Sequence, residues 1–290
     1  MQWLLGWLAR RSLRFLHALG ALLGWLTYAL SPSYRRRLCE NAALAGLSAA
    51  QCRRSVAEAG RLVGEIPWVW LRPADQAIGR WVRWHGQALI EAAHQQGRGL
   101  LILTPHLGSF EVCAQAYAER FGAQWPLTAL YRPARQAWLR ELEKTSRDRP
   151  GMQAAPAALS GVRQMLRALR RGETVGLLPD QVPPEGLGVW APFFGRPAYT
   201  MTLASRLVQQ SGALLLLMWG ERLPKGAGFD LRVIEAPALP ERSGFADDEE
   251  WQVACATAVN RAMEQMILQC PEQYLWGYHR YKQPRQEALA

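Results

Sequence analysis

From Gly99 onward, short unbroken apolar runs alternate with stretches in which apolar residues recur every three or four positions. A short apolar run bounded by glycine or proline predicts a buried strand, and the three-to-four spacing predicts a helix with one apolar face. On this basis strands are expected at residues 100–104, 127–131, 174–178, 213–219 and 229–235, and helices at 110–120, 134–144, 159–171, 202–210 and 249–269. Strand and helix in alternation predict an α/β fold, a mostly parallel central sheet flanked by helices. Upstream, helical spacing covers about 33–41, 48–71 and 86–96. Trp68, Trp70, Trp81 and Trp84 gather where these segments meet, which reads as core packing. Residues 186–195 and 223–229 read as loops, and no internal repeat is present.

The first thirty residues follow a different pattern. Residues 3–30 are helical in character, with Arg10, Arg14 and His17 at heptad-like spacing and Arg11 beside them. The uncharged run 18–30 is 13 residues long, short of the roughly 20 that span a bilayer. A cleaved signal peptide would use Ala29-Leu30-Ser31 as a loose cleavage site. Against it, Trp3, Leu4, Leu5 and Trp7 precede the charges, and Arg35-Arg36-Arg37 follow the apolar run. A full span would require Arg10, Arg11 and Arg14 to snorkel. An N-terminal membrane-associated helix lying in the interface, facing the cytoplasm, is the least costly arrangement. Gly20 and Gly24 form a Gly-x-x-x-Gly suited to close helix contact. Pro32 ends this segment, so the expected organisation is a hydrophobic membrane anchor at 1–31, the main domain at 32–284 and a polar tail at 285–290.

Composition sharpens this picture. The chain has 290 residues, 49% of them apolar, with 13 tryptophans and a net charge of +10. Residues 1–100 hold 13 Arg/Lys against five Asp/Glu, so most of the excess lies there. A basic, tryptophan-rich N-terminal third suits an anionic lipid surface or an acidic protein. No glycine-aromatic motif of an RNA-binding module is present, and nucleic acid is not an expected partner. Five cysteines at 39, 52, 113, 255 and 270 form no Cys-x-x-Cys and no zinc spacing, which fits reduced thiols and implies no metal. There is no Gly-rich phosphate loop, dinucleotide fingerprint or Gly-x-Ser-x-Gly elbow, so no cofactor and no serine acyl-enzyme are implied.

The candidate chemistry centres on His106 and Glu111. On one continuous helix, five positions leave two side chains roughly 140° apart. They converge only if His106 sits on a loop after a strand and Glu111 opens the next helix. Pro105 as a strand stop and Gly108-Ser109 as turn and helix cap support that layout. A carboxylate that accepts the Nδ1 proton of a histidine fixes its tautomer, leaving the other ring nitrogen to take a proton from a hydroxyl. A structural histidine beside an acidic cap has the same spacing. His106, Arg132 and Asp180 each follow the C-terminal end of an expected strand, the edge at which open α/β sheets bind ligands.

The stretch Thr104-Pro105-His106-Leu107-Gly108-Ser109-Phe110-Glu111 resembles the His-x4-Asp/Glu motif of the glycerolipid and lipid A acyltransferases. Tyr131-Arg132-Pro133, Gly176-Leu177-Leu178-Pro179-Asp180-Gln181, Pro192-Phe193-Phe194-Gly195-Arg196-Pro197 and the tail Pro271 to Lys282 resemble, in the same order, the late lipid A acyltransferase branch, the lauroyl and myristoyl transferases. Pro105 stands where that family often has asparagine, and Tyr278 and Tyr281 interrupt its usual Trp-x-His-Arg-Arg. The resemblance implies transfer of a fatty acyl chain from acyl carrier protein to a hydroxyl of a lipid A precursor, at the cytoplasmic face of the bacterial inner membrane. His106 would be the general base and Glu111 its orienting partner. Arg132, Asp180, Gln181, Phe193, Phe194, Gly195 and Arg196 would bind substrate: Arg132 an anionic group, Asp180 a sugar hydroxyl or an arginine across the cleft, and the Phe193–Arg196 segment the acyl-chain entry. A packed hydrophobic loop is an equal reading of that last segment, a buried structural pairing is an alternative for Asp180, and a surface ion pair is one for Arg132. Acylation of another membrane lipid, such as a lysophosphatidate or an aminolipid, remains an alternative, as do a silent lipid-binding protein and a thioesterase.

Overall fold

The four residues of β2 (Leu100–Leu103) are buried without exception, the pattern of a strand covered on both faces. Its neighbours follow from that position. The computed structural model describes residues 2–73, 76–131 and 149–286; the helix expected at 134–144, with Arg132 and Pro133, lies outside them. Before β2 come helices α1 (Gln2–Ala9), α2 (Leu13–Leu30), α3 (Pro32–Leu44) and α4 (Ala49–Leu71), strand β1 (Val82–His85) and helix α5 (Ala88–Gln95). After it come α6 (Phe110–Phe121), β3 (Leu127–Tyr131), β4 (Met152–Pro156), α7 (Leu159–Arg170), β5 (Thr174–Leu177), β6 (Gly188–Phe193), β7 (Arg196–Met201), α8 (Leu203–Ser211), β8 (Leu214–Arg222), β9 (Phe229–Glu235) and α9 (Asp248–Ile267).

The central sheet has the order β1-β9-β8-β2-β5-β3-β4, and only β8 and β9 pair antiparallel. Side chains of a strand alternate between its faces. Leu101 and Leu103 therefore enter one core with Met165 of α7, Leu207 of α8 and Met263 of α9. Leu100 and Ile102 enter the other with Trp68 of α4, Ile90 of α5 and Val112 of α6. The four clustered tryptophans serve this second core; Trp68 meets Trp81 edge-to-face at 5.8 Å, and Trp84 meets Phe121 at 5.6 Å.

The five expected strands are present, and four more are not among the expectations. Strands β1 and β4 are short outer strands, too polar or too exposed to stand out as apolar runs. Strands β6 and β7 form a separate hairpin inside and just beyond the region read as a loop. Its tip is Phe194-Gly195, both with positive φ, 46° and 74°, as a two-residue turn matching the twist of its strands requires. The prolines at 192 and 197 concealed it; a two-stranded ribbon tolerates them because each strand has a free edge.

Helix α2 lies along α4. A Cβ on Gly20 or Gly24 would overlap backbone of α4 at Gly60 and Val56, and one on Gly60 or Gly64 would overlap α2 at Gly20 and Leu16. Bare glycines on both helices thus bring the backbones together, as small-residue stripes do. The joint also holds buried charge. His17 Nε2 meets Glu65 Oε2 at 2.9 Å, Arg222 at the end of β8 reaches Glu65 Oε1 at 3.1 Å, and Arg222 Nε reaches Glu58 at 3.2 Å. The capping is legible in sequence: Ser12 and Ser31 cap α2 and α3, Pro32 takes the first turn of α3, and Ser48 with Gln51 forms a capping box for α4. Among the described residues, Leu13–Leu30 is the one helix long and apolar enough to cross a bilayer.

Candidate active site

Strands β2 and β5 are parallel neighbours with Leu103 opposite Leu177. Three residues beyond each lie His106 and Asp180, so the same register that pairs the strands brings these two together at the C-terminal edge of the sheet. Asp180 Oδ1 stands 2.8 Å from His106 Nδ1, and Oδ2 accepts the His106 backbone N–H at 2.9 Å. Asp180 is 2% exposed. Burial pulls its carboxyl pKa upward, yet the His106 ring, the two hydrogen bonds and the Arg280 guanidinium outweigh that and hold it below the ordinary value. An ionised carboxylate fixes the ring proton on Nδ1 and leaves a lone pair on Nε2. That lone pair faces the carboxamide nitrogen of Gln181 at 3.0 Å. The Phe110 ring packs against the imidazole edge-to-face at 4.8 Å.

The loop carrying His106 is sewn to other elements by its backbone. The Gly108 N–H donates to the Gln273 carbonyl at 3.0 Å, the Ser109 N–H to the Gly220 carbonyl at 2.7 Å, and the Leu275 N–H to the His106 carbonyl at 3.2 Å. Gly108 has φ 58°, and a Cβ there would overlap the Gly220 carbonyl oxygen; the position admits only glycine. The Gln273 side chain pairs with both backbone groups of Arg222, at 2.8 and 3.0 Å. The buried charges under α2 are thereby joined to the histidine loop.

Beneath Asp180 lies a second layer. Arg280, also 2% exposed, donates to the Tyr199 carbonyl and to Thr200 Oγ1, both at 2.7 Å. Burial lowers its pKa, while Tyr274 and Asp180 oppose the shift. Burial, with Asp180 alongside, pushes the Tyr274 phenol up.

Several expectations need correcting. Glu111, expected as the orienting carboxylate, sits half-buried on the first turn of α6, while Asp180 takes the Nδ1 position. Strand register, rather than spacing along the chain, decides which carboxylate faces the ring. Asp180 meets His106 through both oxygens and also bonds the Tyr274 side chain, the buried pairing that sequence offered as the other reading of this residue. Ser109 stands at the start of α6, but its side chain makes no cap bond and its buried hydroxyl has no partner among the described residues. Phe193 is 1% exposed and packs on Phe194 at 4.8 Å, under the Arg280 guanidinium at 5.1 Å, as a core residue. Phe194 is half-buried against Trp276, and Gly195 and Arg196 are exposed, with Arg196 over the Tyr281 ring at 4.8 Å. Arg132 lies outside the described residues. Arg280 and Tyr274 belong to the tail that carries part of the resemblance, yet nothing in their spacing points to Asp180.

A family pattern described as bacterial lipid A biosynthesis acyltransferase matches residues 13–283. The lipid A biosynthesis lauroyltransferase of Escherichia coli (strain K12) is 30% identical over 218 residues, covering 75% of this chain and 66% of that protein. The palmitoleoyltransferase of the same strain is 28% identical over 240 residues, covering 81% and 74%. A lipid A biosynthesis acyltransferase of Haemophilus influenzae is 25% identical over 187 residues, covering 64% and 55%.

Proposed function

Because the chain belongs to the bacterial lipid A biosynthesis acyltransferase family, we propose that it moves a fatty acyl chain from an acyl carrier protein thioester to a hydroxyl of a lipid A precursor. The observation that carries the mechanism is the buried Asp180 carboxylate on Nδ1 of His106 at 2.8 Å. With Nδ1 holding its proton, Nε2 takes the proton of the acceptor hydroxyl as its oxygen attacks the thioester carbonyl carbon. Asp180 stabilises the imidazolium so formed. The tetrahedral intermediate collapses with cleavage of the carbon–sulfur bond, and the leaving thiolate takes the proton back from Nε2. The N-terminal end of α6, where the helix dipole is positive, suits the oxyanion. Glu111, on the first turn of that helix, is a second carboxylate that would support the same chemistry from a position other than Nδ1.

We further propose that residues 1–31 anchor the protein in the plane of the inner membrane at its cytoplasmic face, with residues 32–284 as the catalytic domain. The outer face of α2 bears Leu22 at 66% exposure, Trp25 and Leu26. Its inner face is joined to α4 by glycines and by the buried His17–Glu65 pair. Threading α2 across the bilayer would strip that pair, whereas lying in the interface keeps it and immerses only the outer face. The excess of arginine in the first hundred residues suits anionic headgroups and an acidic carrier protein.

Incubation of membranes holding the protein with acyl carrier protein thioesters and a panel of acceptor lipids, with products identified by mass, tests this function. An acylated lipid A precursor is expected. Acylation of a lysophosphatidate or an aminolipid instead would replace the acceptor assignment, and free fatty acid alone would indicate a hydrolase.

A further inference from the structure

The nitrogen that must receive the acceptor proton is already occupied. Gln181 Nε2 lies 3.0 Å from His106 Nε2. Since Nδ1 carries its proton toward Asp180, the amide is the donor and the imidazole lone pair the acceptor. This contact follows from how the segment is held. Asp180, immediately before, is locked to His106 by two hydrogen bonds. Val182, immediately after, donates its N–H to the Tyr278 hydroxyl at 3.0 Å. The backbone at 181 is thus pinned on both sides, while the half-buried side chain has free torsions that let its end swing away.

An acyltransferase built on a lone histidine base has a problem of chemistry. A base that deprotonates a sugar hydroxyl deprotonates water equally well, and water is always present. With a thioester bound and no acceptor, water would attack the carbonyl carbon and give its proton to Nε2. The carbon–sulfur bond would break, the thiolate would leave with that proton, and the donor would be lost as free fatty acid. A carboxamide is a suitable stopper: it fills the lone pair, and it neither yields nor accepts a proton at neutral pH.

We propose that Gln181 guards His106, its carboxamide occupying Nε2 until the acceptor hydroxyl displaces it, so that the bound acyl donor is protected from water. The proposal rests on His106 being the base. Gln181, which the resemblance places among the substrate contacts, then acts on the choice between two nucleophiles rather than on affinity for one.

The test uses the full chain in detergent with dodecanoyl acyl carrier protein, measuring free fatty acid without acceptor and acylated lipid with a lipid A precursor. Gln181→Ala is expected to raise the ratio of hydrolysis to transfer roughly tenfold, within the ~10²–10⁴ that a positioned base is worth. Gln181→Asn, whose shorter amide falls short of Nε2, should move the ratio the same way and decides the matter if the alanine variant does not fold. Combining His106→Ala with Gln181→Ala should abolish the added hydrolysis. An unchanged ratio in the folded variants, with His106→Ala inactive, overturns the guard alone, as does added hydrolysis that survives loss of His106. Transfer that persists in His106→Ala overturns the base assignment itself.

Discussion

Asp180 holds His106 at two points, the ring through Nδ1 at 2.8 Å and the backbone N–H at 2.9 Å. One buried carboxylate therefore sets both the tautomer of the ring and the position of the chain that carries it. The arrangement depends on two adjacent parallel strands ending in register, and so on the sheet itself.

Replacing His106 with alanine is expected to reduce turnover by about 10²–10⁴-fold, the usual range for a general base. Asp180→Asn should reduce it by at least ~10²-fold, since the amide keeps the shape but not the charge that stabilises imidazolium. The double variant should be little worse than His106→Ala, because groups acting as one unit are not additive. Glu111→Gln should also lower turnover, but less than Asp180→Asn. Steady-state kinetics on purified variants check the order; a Glu111→Gln enzyme more damaged than Asp180→Asn would return the orienting role to Glu111.

The buried charges between α2, α4 and β8 are sensitive to loss of one member. Glu65→Ala leaves Arg222 and His17 facing each other without the carboxylate between them. A destabilisation of about 3–5 kcal/mol is expected from breaking such a pair. Urea unfolding measures it, and activity at permissive temperature should fall as well, because Arg222 is tied through Gln273 to the histidine loop.

A side chain in the α2–α4 joint should separate the helices. Gly60→Leu is expected to destabilise the protein by about 1–3 kcal/mol or more, as overpacking does. Faster proteolysis between α2 and α3, at equal protease, would report the separation directly.

On the outer face of α2, Leu22→Glu with Leu26→Glu should shift the protein from membrane to soluble fractions while leaving its melting temperature nearly unchanged. Both side chains are at least half exposed, so only the lipid contact is lost. High salt alone should not release the unaltered protein, since screening leaves apolar burial intact. Full release by salt would show that charge alone holds it.

His94 lies beneath the sheet, stacked on Trp125 at 4.3 Å with its Nε2 3.0 Å from both the Tyr117 hydroxyl and Thr174 Oγ1. Burial lowers its pKa to about 4, against about 6.5 in the unfolded chain. Between those values the unfolded chain binds the extra proton. The stability His94 contributes is therefore complete above pH ~6.5 and is lost as pH falls toward 4. Urea midpoints should drop across this window, and His94→Gln should flatten the decline.

The buried central strands and the described helices between them were legible because unbroken apolar runs alternate with a three-to-four spacing. Strands β1 and β4 were not, since their signal lies in pairing with a neighbour far along the chain. At the site, His106 stood out by its place after a strand. Spacing points to Glu111, five residues away, whereas the carboxylate that meets the ring comes from residue 180. Spacing measures proximity along one element; register across a sheet has no local signature. For Phe193 the sequence leaves acyl-chain entry and a packed loop as equal readings, and its burial fits the second. Two aromatic residues ahead of a glycine suit either reading, and only the hairpin shows the Phe193 ring turned into the core.

The stitching of Gly108, Ser109 and His106 to Gly220, Gln273 and Leu275 has a consequence for biosynthesis. The histidine loop leaves the ribosome well before the segments that fix it, and the last of them follow α9. A nascent chain can therefore complete the strands of its central sheet while the loop that carries His106 still lacks its last backbone bonds. The loop is set only once the segment that follows α9 has been made.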